Sequence, residues 1–410
     1  MKTDRLILRG LGERYAEIAQ SGGNIKKMDL YRKINGLKPE RPVVMIDEVP
    51  WNEFRDHEEL KLQCGDEVNR GYEWFLRRWI FSHKHFPADN VLVPYIPVRK
   101  KIQDTGIGIR VKEDTVDINQ GSDAAGGIIS HAYIDQLQNK KSVDALLFPA
   151  ITYLKGETEE ELERVCEIFD GIIEARAEGF SGIAWNPWDD ISRYRGVEPL
   201  LTGLADEPEL MHYTMEKLLA IIERRLDQYE ELDLLHNPAY YIHCTAGLCD
   251  ELQADGPVTL KNVWGRGTAQ LFGSVSREMH NEFDTQYMIK LMKRFGLVYY
   301  GCCEPLDNKI DIISKIPNLR KISISPWAKI EPAAEAIGSK YVFAAKPNPA
   351  FVADSSLDAA AVRQEINAVL SACRKNGTTC EFVLKDISTC KGKLSNLAEW
   401  EKIAMECVLQ

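Results

Sequence analysis

Two adjacent cysteines followed by a glutamate stand out among the residues that could do chemistry. They are Cys302, Cys303 and Glu304 in "YYGCCEPLDN", residues 299 to 308, directly behind an apolar run. Neighbouring cysteines can bridge each other only through a strained ring, so a structural disulfide between them is not expected. Three interpretations stay open for the pair: buried packing groups, a reactive thiol, or metal ligands.

The composition narrows the setting of these thiols. The chain has 410 residues, a hydrophobic fraction of 44% and a formal net charge of −11. No apolar run approaches the ~20 residues that a membrane helix needs, and the first residues lack a signal-peptide pattern, so we expect a cytoplasmic protein without membrane contact. The ten cysteines are then free thiols or ligands. The acidic charge disfavours a nucleic-acid surface and leaves small molecules and proteins as partners.

Short β-rich runs alternate with helical patterns along most of the chain. Parallel strands need crossovers, and helical crossovers cover both faces of the sheet, so this alternation predicts an α/β fold. Eight runs predict a (β/α)8 TIM barrel; an open doubly wound sheet is the rival, although no G-x-G-x-x-G follows a strand. The runs are residues 42–49, 91–98, 181–188, 240–245, 297–303, 320–325, 341–346 and 380–386.

Two stretches depart from one strand and one helix per unit. Residues 99–155 contain the alternating "GIGIRVKEDTVDI", the small-residue "GSDAAGG" and a strand-like run broken by Pro149. They predict a hairpin and loop inserted over one end of the barrel. Residues 1–40 predict an N-terminal helical extension. Because no internal repeat or linker is visible, residues 1–410 are expected to form a single domain.

The barrel hypothesis places the chemistry at the carboxyl ends of the strands, where the active sites of such barrels lie. Side chains able to do chemistry follow many of the predicted strands. They are Glu48, Trp51, Trp185, Trp188, His243, Asp250, Glu251, Cys302, Cys303, Glu304, Trp327, Lys346, Lys385 and Asp386. The tryptophans would wall a substrate pocket and the lysines would favour an anionic substrate. Alternatively, the tryptophans pack in the core and the lysines form structural ion pairs with acidic residues.

The stretch "YYGCCEPLDNKIDIISKIPNLRKISISPWAKIEPAAEAIGSKYVFAAKPNPAFVA" resembles a branch of the uroporphyrinogen decarboxylase superfamily. "GLCDEL", "VWGRGTAQLFGSVS", "HNEF" and "FVLKDIST" extend the likeness over residues 40–407. The resemblance implies a (β/α)8 barrel. The arginine-rich N-terminal signature of the decarboxylase itself is missing, and the first strand reads "MIDEVPW". The superfamily's other large branch contains zinc-dependent methyltransferases that serve corrinoid proteins and bind the metal through a His-x-Cys strand end and a later cysteine.

The metal set implied by this resemblance is altered in the present chain. Cys302 or Cys303 occupies the place of the first thiol, while Tyr300 or Gly301 replaces the histidine. The expectation is therefore a zinc ion bound by at least one of Cys302 and Cys303, with the remaining ligands drawn from His243, Glu304, Cys249 or the other thiol. The chain carries no D-x-H-x-x-G corrinoid signature, so any cobalamin would arrive on a separate corrinoid protein. The superfamily commonly forms dimers, which makes a homodimer a further expectation.

Three functions from different classes stay open. The first is a corrinoid-linked methyltransferase or demethylase acting on a small methylated compound, because zinc with an open position can activate a thiol acceptor or a poor leaving group. Its substrate would contact residues of the rim, namely Glu48, Trp185, Trp188, Trp327 and Lys346. The second is a metal-free lyase resembling the decarboxylase, in which Asp250, Glu251 or Glu304 handles protons and Lys346 holds a carboxylate. The third is a non-catalytic barrel that binds a ligand.

Overall fold

The centre of the protein is a parallel β-sheet of seven strands. The structure, a computed structural model, describes residues 2–117 and 129–410. Its strands are β1 (Val43–Ile46), β2 (Ile96–Arg99), β3 (Ile102–Asp104), β4 (Glu113–Asp117), β5 (Ile129–Tyr133), β6 (Ile151–Tyr153), β7 (Ala175–Glu178), β8 (Gly182–Trp185), β9 (Trp264–Gly267), β10 (Leu297–Tyr300), β11 (Leu319–Ile324), β12 (Val342–Ala345) and β13 (Thr379–Leu384). The large sheet has the order β1-β13-β12-β11-β10-β9-β8, with every neighbouring pair parallel. The predicted α/β class is confirmed.

Helices separate most of these strands and cover the sheet. They are α1 (Lys2–Ala19), α2 (Gly22–Asn35), α3 (Glu67–His85), α4 (Lys140–Asp144), α5 (Lys155–Phe169), α6 (Pro187–Arg195), α7 (Val197–Asp206), α8 (Pro208–Glu231), α9 (Arg277–His280), α10 (Gln286–Met292), α11 (Ile310–Ile313), α12 (Ile330–Ile337), α13 (Ala359–Asn376) and α14 (Leu394–Val408). The helices α1 and α2 precede β1, so the segment expected to be an N-terminal helical extension is helical. Among the described residues, no helix combines the length and apolarity needed to cross a bilayer.

The sheet is open between β8 and β1 in the part of the chain that the structure describes. The predicted strand over residues 91–98 contributes only β2, which pairs with β7 outside the large sheet. The two residues before this segment form isolated hydrogen bonds with β1 and no regular ladder. The Asp89 N–H donates to the Val44 carbonyl at 2.8 Å, and the Asn90 side-chain amide donates to the Ile46 carbonyl at 3.3 Å. The sheet therefore has the strand order of a TIM-like barrel without a closed hydrogen-bond ladder.

One predicted strand is wrong. Residues 240–245 form a turn, closed by a bond from the Ile242 N–H to the Thr245 carbonyl at 2.9 Å, and β9 takes the corresponding place in the sheet. The β9 sequence "WGRG" is not predicted as a strand because glycine has a low strand propensity. Its glycines are required by packing, since a Cβ on Gly265 would lie 2.6 Å from the Phe295 ring and one on Gly267 would lie 2.8 Å from the Met288 sulfur.

The segment predicted as an insertion contains two small antiparallel pairs. Strand β4 pairs with β5, and β3 pairs with β6 beyond the proline at residue 149. The small-residue stretch 121–127 lies outside the described residues. Neither pair forms hydrogen bonds with a strand of the large sheet, which is what the predicted insertion leads us to expect.

An ion pair lies in the interior beside the sheet. The Lys321 ammonium of β11 donates to the Glu381 carboxylate of β13 at 2.7 Å, and both side chains are fully buried. The Thr245 hydroxyl donates to the same carboxylate oxygen at 3.1 Å. Burial lowers the pKa of Lys321, while Glu381 counteracts that shift. This pair makes the interior polar below the strand ends where the candidate site is found.

Candidate functional site

Strand ends of the large sheet meet around the two cysteines of "GCCE". Glu48 follows β1, and Asp386 follows β13 at φ 57°. Glu48 and Cys244 also adopt positive φ, 51° and 56°, a region that residues with a Cβ rarely enter. The Glu48 carboxylate joins these three positions, since it accepts the Asp386 N–H at 2.8 Å and the Cys244 thiol at 3.3 Å. Such clustered backbone strain is typical of functional sites.

The two thiols lie side by side in the turn after β10. That strand ends at Tyr300, and Gly301 turns the chain at φ 95°. The Sγ atoms of Cys302 and Cys303 are 3.5 Å apart. Leaving strand geometry allows this, because successive side chains of a strand point to opposite faces.

Charged groups complete the surroundings of the thiols. The Lys385 ammonium is 3.5 Å from Cys302 Sγ and donates to Asp386 Oδ1 at 3.0 Å. The other Asp386 oxygen lies 3.1 Å from Cys303 Sγ, so the single S–H proton of Cys303 is donated either to this carboxylate or to Cys302. The site thus has a lysine next to one thiol and a carboxylate next to the other.

This arrangement separates the acidities of the two thiols. The hydrogen bond from Cys303 and the positive charges of Lys385 and Arg266 lower the pKa of Cys302 to about 7, against the effect of burial. The bond to Cys302 and burial raise the pKa of Cys303. Burial alone would lower the pKa of Lys385, but Cys302, Cys244 and Asp386 together outweigh it and raise this pKa, which keeps the lysine charged. Near neutral pH a substantial fraction of Cys302 is therefore thiolate, and thiolates are the nucleophilic and metal-binding form of cysteine.

We expect this thiolate to show in the pH dependence of alkylation. In metal-free protein the rate of Cys302 modification by iodoacetamide should rise with pH through a midpoint near 7. Lys385→Met removes the adjacent positive charge and should move the midpoint upward. Peptide mass spectrometry gives the rate at this cysteine alone. A parent midpoint at the ordinary thiol value of 9.0, unchanged in the variant, would contradict the arrangement described.

Glu304 supports the thiol turn. One of its carboxylate oxygens accepts the Thr268 hydroxyl at 2.8 Å, and the other accepts the Cys302 N–H at 2.9 Å. The side chain is buried. With both oxygens occupied, Glu304 fixes the position of Cys302 and does not face the cavity as the expected proton-transfer group.

A cavity of about 390 Å³ opens above the thiols at the carboxyl edge of the sheet. Residues of four successive strand ends contribute to its wall. Among those lining it are Cys302, Cys303, Trp327, Lys346, Lys385 and Asp386. The Lys346 ammonium is buried and donates to the Tyr299 hydroxyl at 2.7 Å. Burial lowers the pKa of Lys346. The cavity combines lysines with thiols, a set suited to a small molecule that carries an anionic group.

His243 lies near the site but is engaged by an arginine. Its Nε2 accepts from Arg266 at 3.1 Å, and its Nδ1 is 3.7 Å from Cys244 Sγ. Burial, then Arg266, Lys346 and Lys385, lowers the pKa of His243, so the ring is neutral. Arg266 belongs to β9, the strand that the sequence patterns missed, and was not among the expected site residues.

The expected tryptophan wall is reduced to one residue. Trp327 lines the cavity and is 70% exposed. Trp188 is fully buried, stacks on Phe272 at 5.1 Å between ring centroids and donates to the Phe283 carbonyl at 3.1 Å. Trp185 is buried in the same hydrophobic core. The reason is that β8 ends at Trp185 and Pro187 already begins α6, which turns the second indole away from the strand ends.

Asp250 and Glu251 lie at the opposite edge of the sheet. The Glu251 carboxylate accepts two bonds, at 2.7 and 2.8 Å, from Arg320 near the start of β11. Asp250 is mostly exposed and pairs with Arg32 at 3.5 Å. Because residues 240–245 form no strand, the segment after them does not follow a strand end. The structure therefore does not bring these carboxylates to the cysteines.

Comparison with known proteins gives little further information. No family model matches the chain, and no curated protein matches it either. Among solved structures, a methyltransferase from Methanosarcina mazei is similar over 92% of this chain and 97% of that chain, with 10% sequence identity and a TM-score of 0.49. We therefore derive the function from the geometry of the site.

Proposed function

We propose that this chain is a methyltransferase of the uroporphyrinogen decarboxylase superfamily, with its chemistry at Cys302 and Cys303. It would move a methyl group between a small substrate and the cobalt of a separate corrinoid protein. The observation that carries the proposal is the thiol pair, 3.5 Å apart beneath the cavity and beside a charged lysine. A packing role explains neither the strained turn nor the charged groups around these thiols.

The thiol pair fits a zinc ion. Zinc binds thiolates at about 2.3 Å in tetrahedral geometry, which places two sulfur ligands about 3.8 Å apart, close to the distance between Cys302 and Cys303. Asp386 lies 3.1 Å from Cys303 Sγ, but its oxygens do not converge on both sulfurs in the described structure, so it would become the third ligand by moving toward Cys302. Asp386 replaces the expected His243 in the proposed ligand set, because His243 Nε2 already accepts a hydrogen bond from Arg266. Zinc bound here would supply a Lewis acid for methyl transfer.

The other residues of the site would bind and orient the substrate. Lys346 provides a buried ammonium at the cavity wall, and Trp327 provides an exposed apolar face at its mouth. Lys385 compensates the thiolate charge of Cys302. Glu48 holds the ends of β1 and β13 together through the Asp386 N–H. These roles favour a methylated substrate that also carries a carboxylate.

A metal-free lyase is the second candidate, and Lys346 is the observation that favours it. A buried ammonium facing a cavity is suited to hold a substrate carboxylate. Since Asp250 and Glu251 lie at the other edge and both oxygens of Glu304 accept hydrogen bonds, Lys385 or Asp386 would have to handle the proton.

A single assay separates the two candidates. Zinc-loaded protein is incubated with cob(I)alamin and a panel of methylated amines, thiols and aryl ethers, each with and without a carboxylate. We expect methylcobalamin to form, as followed by absorbance, with a preference for the carboxylated compounds, and to be lost after zinc removal. Release of carbon dioxide by the zinc-free protein, without methylcobalamin, would overturn the methyltransferase proposal in favour of the lyase.

A further inference from the structure

A second group of metal-ligating side chains lies outside the thiol site. His57 precedes the short 3-10 turn Glu58–Leu60, in the segment that follows β1, and His85 is the last residue of α3. Ligand atoms of His57, Glu59 and His85 all lie within 4.8 Å of one another. His85 Nε2 is 3.2 Å from Glu59 Oε1. His57 Nδ1 is 4.0 Å from the same oxygen and accepts the Glu59 N–H at 3.3 Å, a bond that a metal bound at Nδ1 would replace.

The surroundings hold the two imidazoles in place. The Phe81 ring packs against both, with centroid distances of 5.0 Å to His57 and 4.3 Å to His85. The three ligand side chains are 20 to 36% exposed, so an ion can reach them from solvent while the rings remain supported by the protein. In the described residues, this is the one group of three or more histidine, cysteine or acidic side chains that converges in this way.

We propose that His57, Glu59 and His85 bind a divalent transition-metal ion, independently of the thiol site and of its proposed function. Two imidazoles and one carboxylate suit Zn²⁺, Co²⁺, Ni²⁺ or Cu²⁺, whereas Mg²⁺ and Ca²⁺ prefer sites made of oxygen ligands. The ion would join the segment after β1 to the end of α3. That segment also carries Glu53, which accepts the Cys390 and Gly392 N–H groups at 3.0 and 2.8 Å, so metal binding would stabilise the loop after β13 as well.

Lys84 is the competing cation of this site. Its ammonium lies 3.0 Å from each Glu59 oxygen and is more than half exposed, so it compensates the carboxylate in the metal-free chain and can move away. Removing it should favour the metal, because the ion would then meet an uncompensated carboxylate. Lys84→Met is therefore expected to bind the ion several-fold more tightly.

The test uses the full chain in a Cys302→Ser/Cys303→Ser background, so that the thiols cannot contribute. After chelator treatment, calorimetric titration with Zn²⁺ should give one ion per chain and a rise in melting temperature, whereas Mg²⁺ should give neither. His57→Ala and His85→Ala should each abolish this binding. His83→Ala, an exposed histidine on the same helix, is the matched control and should retain it.

The outcome that overturns the proposal is equally specific. Zinc affinity that is the same in the parent background, His57→Ala and His85→Ala would place the ion elsewhere, and equal losses in His83→Ala would show nonspecific binding to surface histidines. Melting temperatures of the metal-free proteins verify that the variants are folded. Because the thiols are absent throughout, neither result depends on the fate of the methyltransferase proposal.

Discussion

Replacing Cys302 with serine is expected to lower the rate of methylcobalamin formation by about 100-fold or more. Removing even an outer-shell partner of a metal ligand commonly costs 10–100-fold, as an order of magnitude, and here a proposed ligand and the site's thiolate are lost together. The substitution is nearly isosteric, so the fold should persist. Initial rates at pH 7.5 with zinc in excess provide the measurement.

The matched control for this variant is Cys166→Ser, which removes an exposed thiol on α5. Its rate should equal that of the parent. Cys303→Ser should also be severely impaired, since it removes the second proposed sulfur ligand of the zinc. Parent-like rates in Cys302→Ser would remove the thiols from the mechanism and leave the cavity without its proposed chemistry.

Lys321→Met is expected to lower the free energy of unfolding by about 3–5 kcal/mol. The substitution leaves the Glu381 carboxylate buried without its cation, and within the described ranges the Thr245 hydroxyl is then its one remaining donor. Breaking a buried ion pair from one side costs this much because an uncompensated charge remains in a medium of low dielectric constant. Urea denaturation followed by tryptophan fluorescence measures the change.

The double variant Lys321→Met/Glu381→Leu isolates the cause. It removes both charges, so most of the lost stability should return, as with other buried ion pairs replaced by apolar side chains. Equal losses in the single and double variants would show that packing rather than the unpaired charge dominates at this position.

The α/β class and six of the eight predicted strands in the large sheet could be read from the sequence, because buried parallel strands are continuously apolar. Two segments depart from this rule. "WGRG" was missed because packing against Phe295 and Met288 demands glycine, which strand patterns penalise. "YYIHCT" has the composition of a strand, yet it forms a turn. Tertiary packing, invisible in a single sequence, decides both cases.

Predicted strand ends located site residues correctly only where the structure contains the predicted strand. Cys302, Lys346 and Trp327 follow observed strands and line one cavity. Glu251 follows the false strand and lies at the opposite edge. Trp188 was misplaced because Pro187 begins a helix earlier than the predicted strand end.

The roles of individual groups depend on distances that no spacing rule supplies. Lys385 and Asp386 were visible as a strand end, but their contacts with separate thiols were not. Arg266 was hidden in the missed strand β9, although its guanidinium, after burial, helps to lower the pKa of His243. A signal that could have located it is the pair of glycines around it in "VWGRG", which marks close packing in a strand.

X-ray absorption at the zinc edge tests the central claim most directly. The sample is zinc-loaded protein carrying His57→Ala and His85→Ala, so that only the thiol site can contribute. The account predicts one zinc per chain with two sulfur ligands at about 2.3 Å and the remaining positions filled by oxygen. A zinc ion surrounded only by nitrogen and oxygen, or no retained zinc, would contradict a metal site at Cys302 and Cys303.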